Sequence, residues 1–336
     1  MSRLLSVENL TISFRTDEGT ITPVQDVTFA VDKGRTLGLV GESGSGKSVS
    51  TKALMRLLPR TASLGADTKM HYTAKDGQVM RIETLSDRSR EIRALRGGEM
   101  GMIFQEPMAS FSPVYTIGNQ IIEAIRLHRP MSKREARAFA IDMLDKVGIS
   151  NAGARIDQYA HELSGGMRQR AMIAVALSAG PALLIADEPT TALDVTIQAQ
   201  VLDLMRDLQR ELGMGMIFIT HDLGVIAQVA DDVAVMYLGS IVERGPARDV
   251  IRAPKHPYTQ GLLAALPSLD TLSKRLTPIP GEIPSPNARP SGCPFHTRCA
   301  QKIAGLCDRK IPREVVPEPG RAVRCWLYDE NGRAVA

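Results

Sequence analysis

At 336 residues, 43% of them apolar and 23% charged, the chain has room for one large α/β domain of about 250 residues plus an appendix, and the composition of a folded soluble protein. Its formal net charge is only +4 and no lysine/arginine block runs longer than a few residues, which argues against a nucleic-acid partner. Polar and charged breaks in Met1-Ser-Arg-Leu-Leu-Ser-Val-Glu8 lead us to expect no secretory signal, and the longest apolar stretch, Ala171 to Ala186, is interrupted by Ser178, Gly180 and Pro181 before it could span a bilayer. A cytoplasmic chain is expected, with any membrane role exerted through a partner.

In chain order, Leu5 to Leu10, Ile12 to Phe14, Val24 to Val31 and Thr36 to Val40 read as short strands, with Asp17-Glu-Gly19 and Lys33-Gly34 as turns. The last of them is continuously apolar, as a strand buried on both faces must be. Residues 48–58 read as a helix, and Lys75-Asp-Gly77 suits a tight turn between strands. From about 106 to 165 the pattern is mostly helical. Within it, Ala136, Phe139, Ala140, Met143, Leu144 and Val147 recur at helical spacing over 132–149, with Ser132 as the cap. Ala182 to Ala186 is a second buried strand, and Met216 to Thr220 a third. Between them, Ile197, Val201, Leu204, Leu208 and Leu212 form one stripe of a helix over Thr196 to Leu212. Strands alternating with helices imply an α/β domain with a mostly parallel sheet covered on both faces. After about 252, prolines at 254, 257, 267, 278, 280, 284, 286 and 290 leave helical periodicity only in Tyr258 to Ala265. The expected organisation is therefore a domain over 1–250 and an irregular C-terminal extension over 251–336.

Chemistry concentrates at two strand ends. The strand ending at Val40 feeds Gly41-Glu-Ser-Gly-Ser-Gly-Lys-Ser48. In such a loop Gly41, Gly44 and Gly46 let the backbone approach a phosphate chain, and their amides with the following helix N-terminus face the anion, Ser43 and Ser45 being further phosphate-binding positions of the loop. Lys47 supplies a charge for the β/γ-phosphates and the Ser48 hydroxyl suits Mg²⁺. Ala182-Leu-Leu-Ile-Ala-Asp-Glu188 is an apolar strand ending in two acids. Asp187 is placed to hold Mg²⁺ through water, and Glu188 is the candidate base that polarises the attacking water; a capping acid before Pro189 is the bland alternative for Glu188.

Downstream, Leu163-Ser-Gly-Gly-Met-Arg-Gln-Arg170 resembles the signature sequence of the ATP-binding-cassette (ABC) ATPases, and the resemblance covers roughly residues 4–250. It implies a P-loop cassette with a RecA-like parallel-sheet core, an antiparallel β subdomain and a helical subdomain over about 106–165. It also implies a role for each matching residue. Gln105, in Met102-Ile-Phe-Gln-Glu-Pro107, matches the glutamine that reaches Mg²⁺ and senses the transmembrane partner. Ser164, Gly165 and Gly166 match the signature that contacts the γ-phosphate of ATP held by a second subunit. Asp194 matches the aspartate that links the two sites of the dimer, and His221 the switch histidine that contacts the γ-phosphate. Phe14 sits where an aromatic residue stacks on adenine, a position that a core aromatic would also explain. ATP and Mg²⁺ are the implied cofactors.

All four cysteines fall late, as C-x5-C-x7-C-x17-C: Cys293, Cys299, Cys307 and Cys325. Clustering in a cytosolic chain favours metal over disulfides. The absence of Cys-x-x-Cys knuckles lowers the case for zinc, while four thiolates suit a [4Fe–4S] cluster by ligand type; reduced structural thiols stay open. The surrounding His256-Pro-Tyr-Thr259, Leu262-Leu, Ile279-Pro-Gly281 and Gly292-Cys-Pro-Phe-His-Thr-Arg-Cys299 resemble the C-terminal extension of oligopeptide/dipeptide importer ATPases. In that subfamily the cysteines can hold an iron–sulfur cluster, with His296 a surface neighbour rather than a ligand.

The resemblance implies the ATP-hydrolysing motor of a membrane importer for di- or oligopeptides, with nickel, glutathione or oligosaccharides as alternative cargo. It implies a sibling ATPase in a heterodimer rather than a homodimer, and two permease subunits docked through the helical segment near Gln105 to Ile125. It further implies an extracytoplasmic substrate-binding protein met indirectly, and a peripheral place on the cytoplasmic face of the membrane. A soluble ABC ATPase acting on nucleic acid or ribosomes is the competing class. It would bring coiled-coil insertions or a second cassette, and the chain has one loop, one signature and no sustained heptads.

Overall fold

The amino-terminal alternation folds as two long strands, β1 (Arg3–Thr16) and β2 (Gly19–Asp32), rather than as the shorter segments expected from sequence. Two residues inside these strands depart from extended backbone. Asn9 and Asp26 take left-handed backbone (φ 53° and 50°), and their amides donate to the hydroxyls of Thr28 and Thr11 at 3.0 and 3.1 Å. The computed structural model describes residues 2–191, 193–266 and 278–335; Pro267 of the proline-rich run and Ala192 beside Asp194 lie outside them. The chain continues through β3 (Thr36–Val40), α1 (Lys47–Leu54), β4 (Ala62–Leu64), β5 (Lys69–Thr73), β6 (Val79–Arg81), α2 (Arg90–Leu95) and β7 (Met100–Ile103). Then come α3 (Pro107–Ser110), α4 (Ile117–His128), α5 (Lys133–Lys146), α6 (Ala152–Arg155), α7 (Gly165–Ser178), β8 (Leu183–Asp187), α8 (Val195–Leu212), β9 (Gly215–Thr220) and α9 (Leu223–Val229). The last elements are β10 (Asp232–Tyr237), β11 (Ser240–Pro246), α10 (Ala247–Arg252), α11 (Pro257–Ala264), β12 (Val315–Glu318) and β13 (Arg321–Val323). Helix α1 stops short of the expected residue 58 because Arg56 adopts a left-handed conformation (φ 53°) just past its end.

Contacts divide the chain into two units. The first comprises Met1–Leu5, Val31–Arg35 and His71–Ile219. Its centre is the parallel ladder β7–β8–β9, in which Met100 pairs with Leu183 and Leu183 with Gly215. Every residue of these strands is buried, so their sequences are unbroken apolar runs up to Asp187. Helices α4, α5 and α7 pack on one another; α4 buries Ile117, Ile121, Ile122 and Ile125, and α5 buries Ala136, Ala140, Met143 and Leu144. Ser132 caps α5 in a reciprocal box with Glu135. Strands β5 and β6 form the expected hairpin, turned by Gly77 at φ 86°.

The second unit comprises Ser6–Ala30, Thr36–Met70 and Thr220–Ala336. In it β1 lies between β2 and β4, with Phe14 opposite Ala62. Strand β3 runs parallel to β10, and β10 pairs antiparallel with β11. The C-terminal extension is more regular than its prolines suggested: β13 joins β11 (Glu243 opposite Val323), and β12 joins β13. Both added strands are short and β12 contains Pro317, tolerable only where no ladder donor is needed, so neither leaves a periodic trace in the sequence. Among the described residues no helix is long and apolar enough to cross a membrane.

Candidate functional site

In the second unit the fully buried β3 delivers the chain into Gly41. A side chain at Gly41 would collide with the Met236 carbonyl, and Gly46 closes the loop at φ 97° with the Pro23 carbonyl 2.7 Å from where a Cβ would stand. The loop therefore has to be glycine at both ends. Lys47 is buried, and its ammonium donates to the carbonyls of Gly41 (2.7 Å) and Glu42 (3.0 Å) and to the Ser45 hydroxyl (3.5 Å). The Ser45 amide also turns back to the Glu42 carbonyl at 3.2 Å. Ser43 and Gly44 stand exposed at the tip, and Ser48 is half-buried in the first turn of α1. His221 is exposed directly after β9, followed by Asp222, which caps α9 through the Gly224 amide at 2.6 Å. Phe14 is half-buried on β1.

In the first unit Asp187 ends β8 and is only 2% exposed. Glu188 follows in left-handed backbone (φ 47°), its amide bonded to the Ile219 carbonyl at 3.0 Å. A non-glycine residue held there stores local strain, a pattern concentrated at functional positions. The turn aims its carboxylate at Gln105 Nε2 (3.4 Å) and the Thr191 hydroxyl (2.9 Å). Gln105 and Glu188, 83 positions apart in sequence, are thus brought together. Thr191 is a partner that sequence reasoning missed, although its place three residues after the acid was a usable signal. Ser164 caps α7, accepting from the Met167 amide at 3.4 Å, so Ser164 and Gly165 lie exposed at the amino end of a helix. Asp194 plays the same part for α8, accepting from the Ile197 amide at 2.9 Å.

Two family matches decide the identity. Residues 24–191 match the ABC transporter family, and residues 242–307 match the oligopeptide/dipeptide transporter C-terminal region. The chain is an ABC-transporter ATPase of the oligopeptide/dipeptide family. It is 47% identical to the dipeptide transport ATP-binding protein DppD of Bacillus subtilis over 331 residues, 98% of this chain and 96% of that one. Among solved structures, a dimeric bacterial ABC transporter cassette, MJ0796, superposes with a TM-score of 0.63 at 23% identity, covering 73% of this chain and 99% of that one. The cassette CbiO1 of Clostridium perfringens gives 0.61 at 24%, covering 75% and 92%. These two establish the cassette fold. ATP and Mg²⁺ are the family's cofactors.

The four cysteines of this ATPase all lie in the second unit, none in a disulfide. The Cys293 amide donates to the Cys307 carbonyl at 2.8 Å, and the Ile303 amide to Cys307 Sγ at 3.3 Å. Cys325 feels the other three sulfurs electrostatically. Burial pushes the Cys293 thiol up to about 11 and Cys325 up to about 12, and raises Cys299 as well. Three desolvated thiols that disfavour charge beside one another suit a cationic metal group that would stabilise them as thiolates. Among the described residues, however, no three His, Cys, Asp or Glu side chains are grouped to hold a metal ion. The His296 ring pairs with the Cys293 carbonyl at 2.9 Å.

Proposed function

We propose that this ATPase is the motor of a membrane importer for di- or oligopeptides. The observation that carries the reading is Glu188, a carboxylate fixed at the end of a buried strand by Gln105 and Thr191, next to the buried Asp187. Such an acid can accept the proton of an attacking water, while Gln105 orients that water. The amides of Gly41, Ser43, Gly44, Ser45 and Gly46 cradle the phosphates, Lys47 neutralises them, and His221 contacts the γ-phosphate. Ser48, Asp187 and Gln105 would hold Mg²⁺, which supplies further charge neutralisation when bound. Phe14 stacks on adenine. Ser164, Gly165 and Gly166 act on the nucleotide of a partner ATPase, and Asp194 links the two sites. The domains are a cassette over 1–250, with its helical subdomain over about 106–165, and an extension over 251–336.

Phe104, Met108, Val114 and Tyr115 are exposed at 38%, 49%, 71% and 56%, an apolar strip between β7 and α4 that supports docking of a permease subunit there. We propose that the docked chain lies on the cytoplasmic face of the membrane. Peptide cargo is supported by the dipeptide transport named for the Bacillus relative. The test is reconstitution with the permease subunits in liposomes. ATP-driven peptide uptake is expected, and Glu188→Gln should abolish it while leaving ATP binding intact. Uptake by that variant at the wild-type rate would remove Glu188 as the base.

We further propose a [4Fe–4S] cluster on Cys293, Cys299, Cys307 and Cys325. Four thiols in mutual electrostatic reach support a shared metal group, and four thiolates suit a multi-iron core by ligand type. Purified without oxygen, the chain should carry about four irons; one zinc and no iron would reverse the assignment.

A further inference from the structure

Glu42, the second residue of the phosphate loop, has every polar group committed. Its carbonyl accepts from Lys47 (3.0 Å) and from the Ser45 amide (3.2 Å). Its amide donates to the Tyr258 hydroxyl at 2.9 Å, and its carboxylate receives both arms of the Arg298 guanidinium, at 2.7 and 3.0 Å. Tyr258 and Arg298 both belong to the C-terminal extension, and Arg298 stands immediately before Cys299 in the cysteine segment.

This grip is built to hold. The Arg298 side chain is 5% exposed, and its Nε is anchored to the Pro280 carbonyl at 3.1 Å, so the fork approaches Glu42 from a fixed direction. Hydrogen bonding to Glu42 holds the guanidinium in its charged form. Phe295, two residues after Cys293, packs on Tyr237 edge-on at 5.2 Å and on Tyr258 at 5.3 Å, and Tyr237 and Tyr258 lie 4.7 Å apart. The cysteine segment, the aromatic cluster and the phosphate loop are therefore one packed assembly within the second unit.

A loop with glycine at 41, 44 and 46 has many backbone conformations open to it, and only a few present its amides to a phosphate. We propose that Arg298 is a positioning residue of the phosphate loop: acting through Glu42, it holds the loop in its binding shape before nucleotide arrives. The cysteine segment thereby sets how well the ATPase binds ATP, although none of its residues belongs to the phosphate-binding motif. The proposal rests on the phosphate-loop reading above.

The experiment measures binding of a fluorescent ATP analogue to the purified full-length chain, and KM and kcat for ATP in the reconstituted transporter. If Arg298→Glu reduces the competent loop population to about a tenth, apparent Kd and KM rise about tenfold, with kcat changing less than KM. Arg298→Lys, which keeps the charge and loses the fork, should fall between. The exchange E42R/R298E should recover most of the lost affinity, a rescue that a purely structural role for Arg298 would not give. Wild-type Kd in soluble Arg298→Glu overturns the proposal, and so does failure of the exchange to recover affinity. Should Arg298→Glu not fold, Glu42→Gln decides in its place, because it leaves the cysteine segment untouched: a Kd within twofold of wild type overturns the proposal. Lys47→Ala separates the two readings. If it binds ATP as tightly as wild type, the phosphate-loop assignment itself has failed; if it loses binding while Arg298→Glu and Glu42→Gln do not, only the positioning role has failed.

Discussion

His256 cannot take a proton without disturbing the contact that caps α11. Its Nδ1 accepts from the Tyr258 amide at 3.0 Å, and the ring is buried. Burial pushes its pKa down from 6.5 to about 3. Between those values the unfolded chain binds a proton that the native chain refuses. The stabilisation is fully present above pH 6.5 and is lost as pH falls towards 3, by about 1.4 kcal/mol for each pH unit. His256→Asn keeps an acceptor at the cap and does not titrate. Urea unfolding over that window should lose stability with falling pH less steeply for the variant than for wild type; parallel slopes would show that His256 is protonated in the native state. The same scale explains Glu188. An acid at a strand end is an ordinary sequence feature, and the sequence carries the residue but not its left-handed backbone or the reach of Gln105 across 83 positions. Those come from tertiary structure, as does Arg298 on Glu42 over 256 positions, for which an arginine inside the cysteine run was the only trace.

At the scale of elements, legibility followed burial. Strands β3 and β8 are fully buried and stood out as mainly apolar runs, while α5 and α8 announced themselves by spacing and α5 also by its cap Ser132; that Asp194 caps α8 was not read from the sequence. Strands β10 and β11 were not anticipated although mostly buried, because the Leu238-Gly239 turn that joins them, with Leu238 in left-handed backbone at φ 41°, lacks the usual Asn-Gly or Asp-Gly signal. Helix α4 lay inside a segment read only as mostly helical, yet its buried face is regular: Ile117, Ile121, Ile122 and Ile125. That face ties the segment carrying the exposed apolar strip to α5 and α7. Ile125 is fully buried, so Ile125→Ala should cost about 2–5 kcal/mol in chemical unfolding, through lost burial and the cavity left behind. Glu123→Ala on the exposed face should stay within about 0.5 kcal/mol. Equal losses for the two variants would mean that α4 is held by something other than its isoleucine face.

At the scale of the whole molecule, the signature is the part that a single chain leaves unexplained. Ser164 and Gly165 are exposed at the head of α7, and Ser164 spends its hydroxyl on the Met167 amide. Buried packing accounts for Leu163 and Ala171 on either side, but it does not account for an exposed Ser164-Gly165 pair between them. The nucleotide of a second ATPase, as proposed above, would account for it: the helix amino end offers amides and a favourable dipole to an incoming phosphate. A site divided in this way is incomplete in one copy, so the isolated chain should hydrolyse ATP poorly at any concentration that leaves it monomeric. The partner is proposed to be a sibling ATPase rather than a second copy of this chain. Mixing decides it. ATPase activity should remain low for this chain with the permease subunits alone and rise when the sibling is added. In that mixed complex Ser164→Arg should block the sibling's nucleotide and leave this chain's own ATP binding in place, because the signature serves the opposite site. Full, peptide-stimulated activity from a complex holding two copies of this chain and no sibling would rule out the heterodimer. Loss of this chain's own nucleotide binding in Ser164→Arg would rule out the division of the site between subunits.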